Sequence, residues 1–136
     1  MTTSMKSILF DSHAILKFSQ DEKGADLVEQ FLQKSQKGCL KAYMSEINLG
    51  EVYYQTIRKI GLESAQQYLE RLTQLPFKIV TPTSELIMYA AEIKAQYAIS
   101  YADCFAAATA LKYSAAIITG DPEFRKIESL VKINWV

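Results

Sequence analysis

The stretch from residue 99 to residue 121 limits the fold more than any other part of the chain. It opens Ser100-Tyr101-Ala102-Asp103-Cys104-Phe105-Ala106-Ala107-Ala108 and closes Ala116-Ile117-Ile118-Thr119-Gly120-Asp121. With alanine at 106, 107, 108 and 110, the first half predicts a helix slim enough to press close to a sheet, and so a central element. The second half is a β-rich run that stops at Gly120-Asp121-Pro122. Asp103 therefore falls in the first turn of a helix and Asp121 just past a strand, positions that a parallel α/β sheet brings together at one edge. Ser100-x-x-Asp103 is also a capping-box variant, which gives Asp103 a purely structural alternative.

The rest of the chain is consistent with that frame. Residues 7–10 form a short apolar run ending at Asp11, and Ser12-His13-Ala14-Ile15-Leu16 reads as the first turns of a helix. Asp11 fits equally well as an edge ligand or as an N-cap. Ala25, Val28, Phe31 and Leu32 recur at helical spacing over residues 22–37, with Gly38 as a stop. Residues 39–44 predict a second strand, and Ser45 caps a helix that runs to Ile60 and ends at Gly61. On it Asn48 and Glu51 lie one turn apart on one face; Glu46, five residues before Glu51, does not share that face, so one of the two glutamates is a candidate site ligand and the other a solvated first-turn acid that suits the helix dipole. A helix over 62–75, a strand over 77–80, turn chemistry at Thr81-Pro82-Thr83-Ser84, a helix carrying Leu86, Ala90, Ile93 and Tyr97, and a final strand over 131–136 complete the order. The sequence β-α-α-β-α-α-β-α-α-β-β predicts one α/β domain over residues 1–136: a three-layer α/β/α sandwich around a mainly parallel sheet of about five strands.

Fifteen basic and fifteen acidic residues leave no net charge, so a polyanionic partner must be met by a local patch or by bound metal. Residues 1–10 hold one lysine and a four-residue apolar run, too short for a leader or a membrane span, so a cytoplasmic protein with no membrane contact is expected. Cys39 and Cys104 match no metal or redox spacing and are expected to be reduced, largely buried thiols.

In this arrangement Asp11, Glu51, Asp103 and Asp121 can all point into one crevice. Four ionised carboxylates raise one another's pKa when gathered, and a divalent cation relieves the repulsion. All-oxygen donors without His or Cys pairs favour Mg²⁺ or Mn²⁺ over zinc. A cation held on one wall and open on the other suits phosphodiester hydrolysis.

The sequence resembles the PIN-domain ribonucleases, and within them the VapC-type toxins of bacterial toxin–antitoxin pairs. Four segments carry the likeness: Ile8-Leu9-Phe10-Asp11-Ser12-His13-Ala14, Ser45-Glu46-Ile47-Asn48-Leu49-Gly50-Glu51-Val52-Tyr53-Tyr54, Ser100-Tyr101-Ala102-Asp103-Cys104-Phe105-Ala106-Ala107-Ala108-Thr109-Ala110, and Ile117-Ile118-Thr119-Gly120-Asp121-Pro122-Glu123-Phe124. The resemblance implies catalytic, metal-binding acids at Asp11, Glu51, Asp103 and Asp121, with Ser12 and Thr119 as polar supports, and it selects Glu51 over Glu46. It further implies a metal-dependent endoribonuclease that is homodimeric and held inactive by a small antitoxin protein. A PIN-like module that binds RNA or protein without cutting is the alternative. A phosphotransferase-type pocket fits less well, because His13 rather than a second aspartate follows Asp11 by two residues and no Gly-rich phosphate loop is present. His13 reads as a structural helix-start residue. Among scattered basic residues, Arg125 and Lys126 are the best placed for substrate phosphates, ahead of Lys17 and Lys94.

Overall fold

The computed structural model describes residues 5–136; the reading of the first ten residues as too short for a leader falls in part on residues 1–4, outside the described residues. Strand β1 (Lys6–Phe10) is followed by α1 (Ser12–Ser19) and α2 (Ala25–Gln36), then β2 (Leu40–Ser45), α3 (Glu46–Ile60) and α4 (Leu62–Leu72). Next come β3 (Lys78–Val80), α5 (Ser84–Gln96), α6 (Tyr101–Lys112), β4 (Ala115–Thr119), a 3-10 turn over Pro122–Ile127 and β5 (Ile133–Trp135). The element order is the one predicted. The α4 helix is three residues shorter than expected, β5 is confined to its middle three residues, and the 3-10 turn is additional. That turn starts on Pro122, whose fixed φ suits a first helical position and whose missing N–H costs nothing there.

All strand pairs are parallel and the sheet order is β3-β2-β1-β4-β5. The chain moves outward from β1 to β2 and β3, then returns to lay β4 on the other side of β1. This reversal opens a crevice at the carboxyl ends of β1 and β4, where open α/β sheets place their ligands. Alternation along the strands divides the core in two. Ile8, Phe10, Met44 and Ile118 pack with Ala14, Ile15, Val28, Val52 and Leu72 from the α1–α4 layer. Leu9 and Ile117 pack with Leu86, Ala90 and Ile93 of α5 and the alanines of α6.

Every residue of α6 from Asp103 to Ala110 is buried, so this helix has no solvent face. Its alanines let it lie against the sheet and α5 at once, and the one buried hydroxyl, Thr109, donates to the Phe105 carbonyl at 2.7 Å. Cys104 is buried as expected, but Cys39 is exposed. It lies in the connection after Gly38 rather than in β2, which begins at Leu40, and connections run over the surface. Among the described residues no helix is long and apolar enough to cross a membrane. Because Ala107 is fully buried with close neighbours on all sides, Ala107→Leu should lower stability by about 1–3 kcal/mol, measured by denaturant unfolding; an unchanged midpoint would show that α6 is less tightly seated than described.

Candidate active site

Asp11 is the first residue beyond β1, 1 % exposed, and holds extended backbone at the start of α1 (φ −84°, ψ 177°). Its two carboxylate oxygens are both engaged. Oδ1 accepts the Ala14 amide at 2.8 Å, capping α1, and Oδ2 accepts the Thr119 hydroxyl at 2.5 Å. Thr119 ends β4, and its Oγ1 also accepts the Asp121 amide at 3.0 Å. One short relay thus links β1, α1, β4 and the turn that carries Asp121. The two readings of Asp11 are not exclusive: it caps the helix and faces the crevice edge.

Glu51 reaches the same edge from the second turn of α3. Its Oε1 accepts from Ser12 Oγ and from Asn48 Nδ2, each at 3.0 Å. Asn48 is fully buried and its Nδ2 also approaches the Ala102 carbonyl at 3.3 Å, joining α3 to the first turn of α6. Its Oδ1 has no hydrogen-bond partner among the described residues. Glu46, by contrast, is exposed and accepts from Thr81. At the head of α6 the Ser100 hydroxyl accepts the Asp103 amide at 3.2 Å, and no bond returns from the Ser100 amide to the Asp103 carboxylate. Ser100 caps alone, which leaves the Asp103 carboxylate for the crevice.

A cavity of about 300 Å³ is lined by Ser12, His13, Leu16, Glu51, Gln55, Ser100, Asp103, Asp121 and Glu123. Asp11 and Thr119 lie behind its wall. No lysine or arginine lines it. Burial raises the Asp11 carboxyl to about 8, against the pull of the Thr119 and Ala14 bonds, and the charges of Asp103 and Asp121 push it further. Burial likewise raises Asp103 to about 6, aided by the charges of Asp121, Glu51 and Glu123 and opposed by Ser100. His13, half-buried with an unpartnered Nδ1, is held below its usual range by burial and by Lys17.

The four predicted acids therefore share one edge, but they do not close on a point. Among the described residues no three His, Cys, Asp or Glu side chains are gathered tightly enough to hold one ion as they stand. Asp11 has both oxygens bonded to the protein and Glu51 one. The donor set still fits a hard divalent cation. It is all oxygen, no lysine or arginine lines the crevice, and the buried Oδ1 of Asn48 beside it has no hydrogen-bond partner among the described residues.

Arg125 and Lys126 are not among the residues lining the crevice. Arg125 packs over the Trp135 ring at 5.6 Å, and Lys126 donates to the Ala98 carbonyl at 3.0 Å and pairs with Glu123 at 3.4 Å. Lys17 and Lys94 are likewise engaged, with the carbonyls of Val136 and Ile99. Two residues were not singled out as site residues from sequence. Asn48 had a signal in its spacing from Glu51; Glu123 had one in its place in the first turn after Asp121.

The PIN domain family model matches residues 8–130. Comparison with curated proteins gives no match. Among solved structures the chain is similar to VapBC2 from Rickettsia felis bound to a DNA fragment from its promoter, with a TM-score of 0.74 and 14 % identity over 96 % of this chain and 98 % of that one. DNA-bound VapBC from Salmonella typhimurium gives 0.74 and 16 % over 97 % and 98 %. VapC20 of Mycobacterium tuberculosis, a toxin that cleaves the Sarcin-Ricin loop, gives 0.70 and 16 % over 93 % and 98 %. At these identities the likeness establishes a shared fold.

With Asp11 raised to about 8, the folded protein holds a proton there that the unfolded chain has released above about pH 4. That contribution to stability is complete below the unfolded value and is lost as pH rises through 8. In metal-free buffer the wild type should therefore lose on the order of a few kcal/mol relative to Asp11→Asn between pH 5 and pH 8. Denaturant midpoints of the two proteins across that range give the measurement; a difference that does not change with pH contradicts a buried, proton-holding Asp11.

Proposed function

The chain belongs to the PIN domain family, and from that membership together with the acid-lined crevice we propose that it is a metal-dependent endoribonuclease, the toxin of a toxin–antitoxin pair. The observation that carries the reading is the crevice itself. Glu51, Asp103, Asp121 and Glu123 line it at the strand-order reversal, with Asp11 behind its wall and no lysine or arginine among the lining residues. A purely structural explanation must account for each acid separately, and it leaves the cost of gathering them unexplained.

In this reading Asp11, Glu51, Asp103 and Asp121 hold Mg²⁺ or Mn²⁺. The bound cation would offset their repulsion, draw in a phosphodiester and make water a better nucleophile. The chain supplies the rest. The Thr119 hydroxyl and the Ala14 amide hold Asp11 in one orientation, and Ser12 and Asn48 do the same for Glu51. Ser100 takes over the capping of α6, so the Asp103 carboxylate is not spent on the cap. Groups that fix a ligand's direction in this way govern affinity nearly as strongly as the ligand itself. His13, at the crevice wall with its ring largely neutral, is available to bond a substrate oxygen rather than to carry charge.

The VapBC structures that share this fold support an antitoxin partner; in this reading the protein is a homodimer, and the cation lets a chain without net charge meet RNA. A cytoplasmic setting follows from an RNA substrate.

The test is cleavage of RNA by the purified protein, with growth on expression as a second readout. Mg²⁺ or Mn²⁺ should support cleavage and EDTA should stop it. Asp11→Asn and Asp103→Asn should each lower it by about 10²-fold or more while remaining folded and, in metal-free buffer, at least as stable. Expression of the wild type should arrest bacterial growth and Asp11→Asn should not. Cleavage that resists EDTA in both variants would remove the metal from the mechanism, and an inert wild type that binds RNA or protein would favour the non-cutting module. Asn48→Ala should lower cleavage by about 10- to 100-fold and weaken the response to metal concentration, which a change confined to packing would leave alone.

A further inference from the structure

The opposite edge of the sheet carries a second cavity that the crevice chemistry does not use. It measures about 370 Å³ and is lined by Lys6, Lys34 and Lys132 with Ser7, Ser114 and Asn134 over an apolar floor. No carboxylate lines it. The three ammonium groups make no ion pair and no hydrogen bond among the described residues, where the one ion pair is Lys126 with Glu123. Lys17, Lys94 and Lys126, by contrast, each donate to a carbonyl.

Lysines at this edge also suit the negative ends of helices, and Lys34 does lie in the last turn of α2. That does not explain the other two. Lys6 opens β1, and Lys132 precedes β5 by one residue. The same edge is basic beyond the cavity, since Lys41, Lys78 and Lys112 lie at or within three residues of the starts of β2, β3 and β4. Three ammonium groups without a carboxylate partner, one of them (Lys34) over the Phe31 ring at 5.8 Å, stand with hydroxyl and amide groups around this hollow and suit a phosphate.

We propose that this cavity is a phosphate-binding exosite for RNA, engaging the substrate backbone away from the point of cleavage. The assignment of RNA as the source of the phosphate rests on the ribonuclease reading; the anion chemistry of the cavity does not. A crevice lined by acids offers a polyanion no attraction of its own. The exosite supplies that attraction, about 17 Å away along the five residues of β1, so it acts on long or folded RNA and not on a substrate of a few nucleotides.

The experiment compares Lys6→Ala/Lys34→Ala/Lys132→Ala with the parent chain in two settings. All three lysines are exposed, so folding is expected to survive, and unfolding curves verify it. In an Asp103→Asn background, which keeps RNA intact, the triple change should weaken binding of a long single-stranded RNA at least tenfold at low salt. It should also flatten the dependence of log affinity on log salt by about 2, near 0.7 per lost phosphate contact. In the otherwise wild-type chain the triple change should slow cleavage of long RNA while leaving a substrate of a few nucleotides cut at the original rate. Unchanged affinity and salt slope would overturn the exosite. Loss of binding to inorganic phosphate or a mononucleotide without loss of RNA binding would overturn the RNA assignment and leave a small-anion site. If the wild type cuts no RNA yet binds it through these lysines, the ribonuclease reading fails and the exosite stands.

Discussion

The hydrogen bond from Thr119 to Asp11 is the contact on which the site depends. It joins the last residue of β4 to the first residue beyond β1, across the point where the strand order reverses. Two strands that are neighbours in space but more than a hundred residues apart in sequence are thereby fixed at their carboxyl ends. Because the same Asp11 caps α1 and the same Thr119 receives the Asp121 amide, a displacement of any one of these elements is felt by the others. The bond is made in a fully buried setting, where a hydroxyl or carboxylate without a partner is costly. Asp11 therefore serves as a structural pin and as a member of the acid cluster, and the two roles oppose each other energetically. The pin favours burial, and burial raises the cost of charge.

That conflict explains why the helix caps matter to the chemistry. Asp103 and Asp11 each stand at the start of a helix, where backbone amides and the helix dipole favour negative charge. Each could have been consumed by capping. At α6 a separate residue, Ser100, takes the cap, so the carboxylate is not spent on it; at α1 the carboxylate is itself the cap, with Thr119 on its other oxygen. The acids nearest the open cavity are accordingly Glu51, Asp103 and Asp121, with Glu123 beside them, and Asp11 supports them from behind.

Much of this was legible in the sequence for a physical reason. Several elements are bounded by a residue with a specific backbone or capping role, such as Gly61 at the end of α3 or Ser45 at its start, so boundaries came within a residue or two where such a residue exists. They were less sharp where it does not. Residues 73–77 make successive turns that a helical pattern through Leu75 overran, and the 3-10 turn after Pro122 is too short to show a period. The acids were legible because sheet topology places strand ends and the first turns of the following helices together. What periodicity does not carry is the state of a side chain. The double engagement of Asp11, the orphaned Oδ1 of Asn48 and the withdrawal of Lys17, Lys94, Arg125 and Lys126 into local contacts all depend on atoms brought together from distant positions. Cys39 was misplaced for a related reason, since its exposure turns on a single residue of difference in where β2 begins.

Equal numbers of acids and bases conceal a separation that the fold itself favours. In a parallel sheet covered by crossover helices, strand carboxyl ends and helix N-termini lie at one edge, while strand amino ends and helix C-termini lie at the other. Acids are favoured at the first and lysines at the second by the same dipoles. Here both edges depart from mere complementarity. The carboxyl edge gathers acids whose charges add to the burial that already raises Asp11 and Asp103, and the amino edge holds lysines on strands where no helix end calls for them. An excess of each sign, held apart by the length of the sheet, stays unneutralised within the molecule. Such an excess is stable only because solvent screens it, and in the readings proposed above a cation would offset it at one edge and a phosphate at the other.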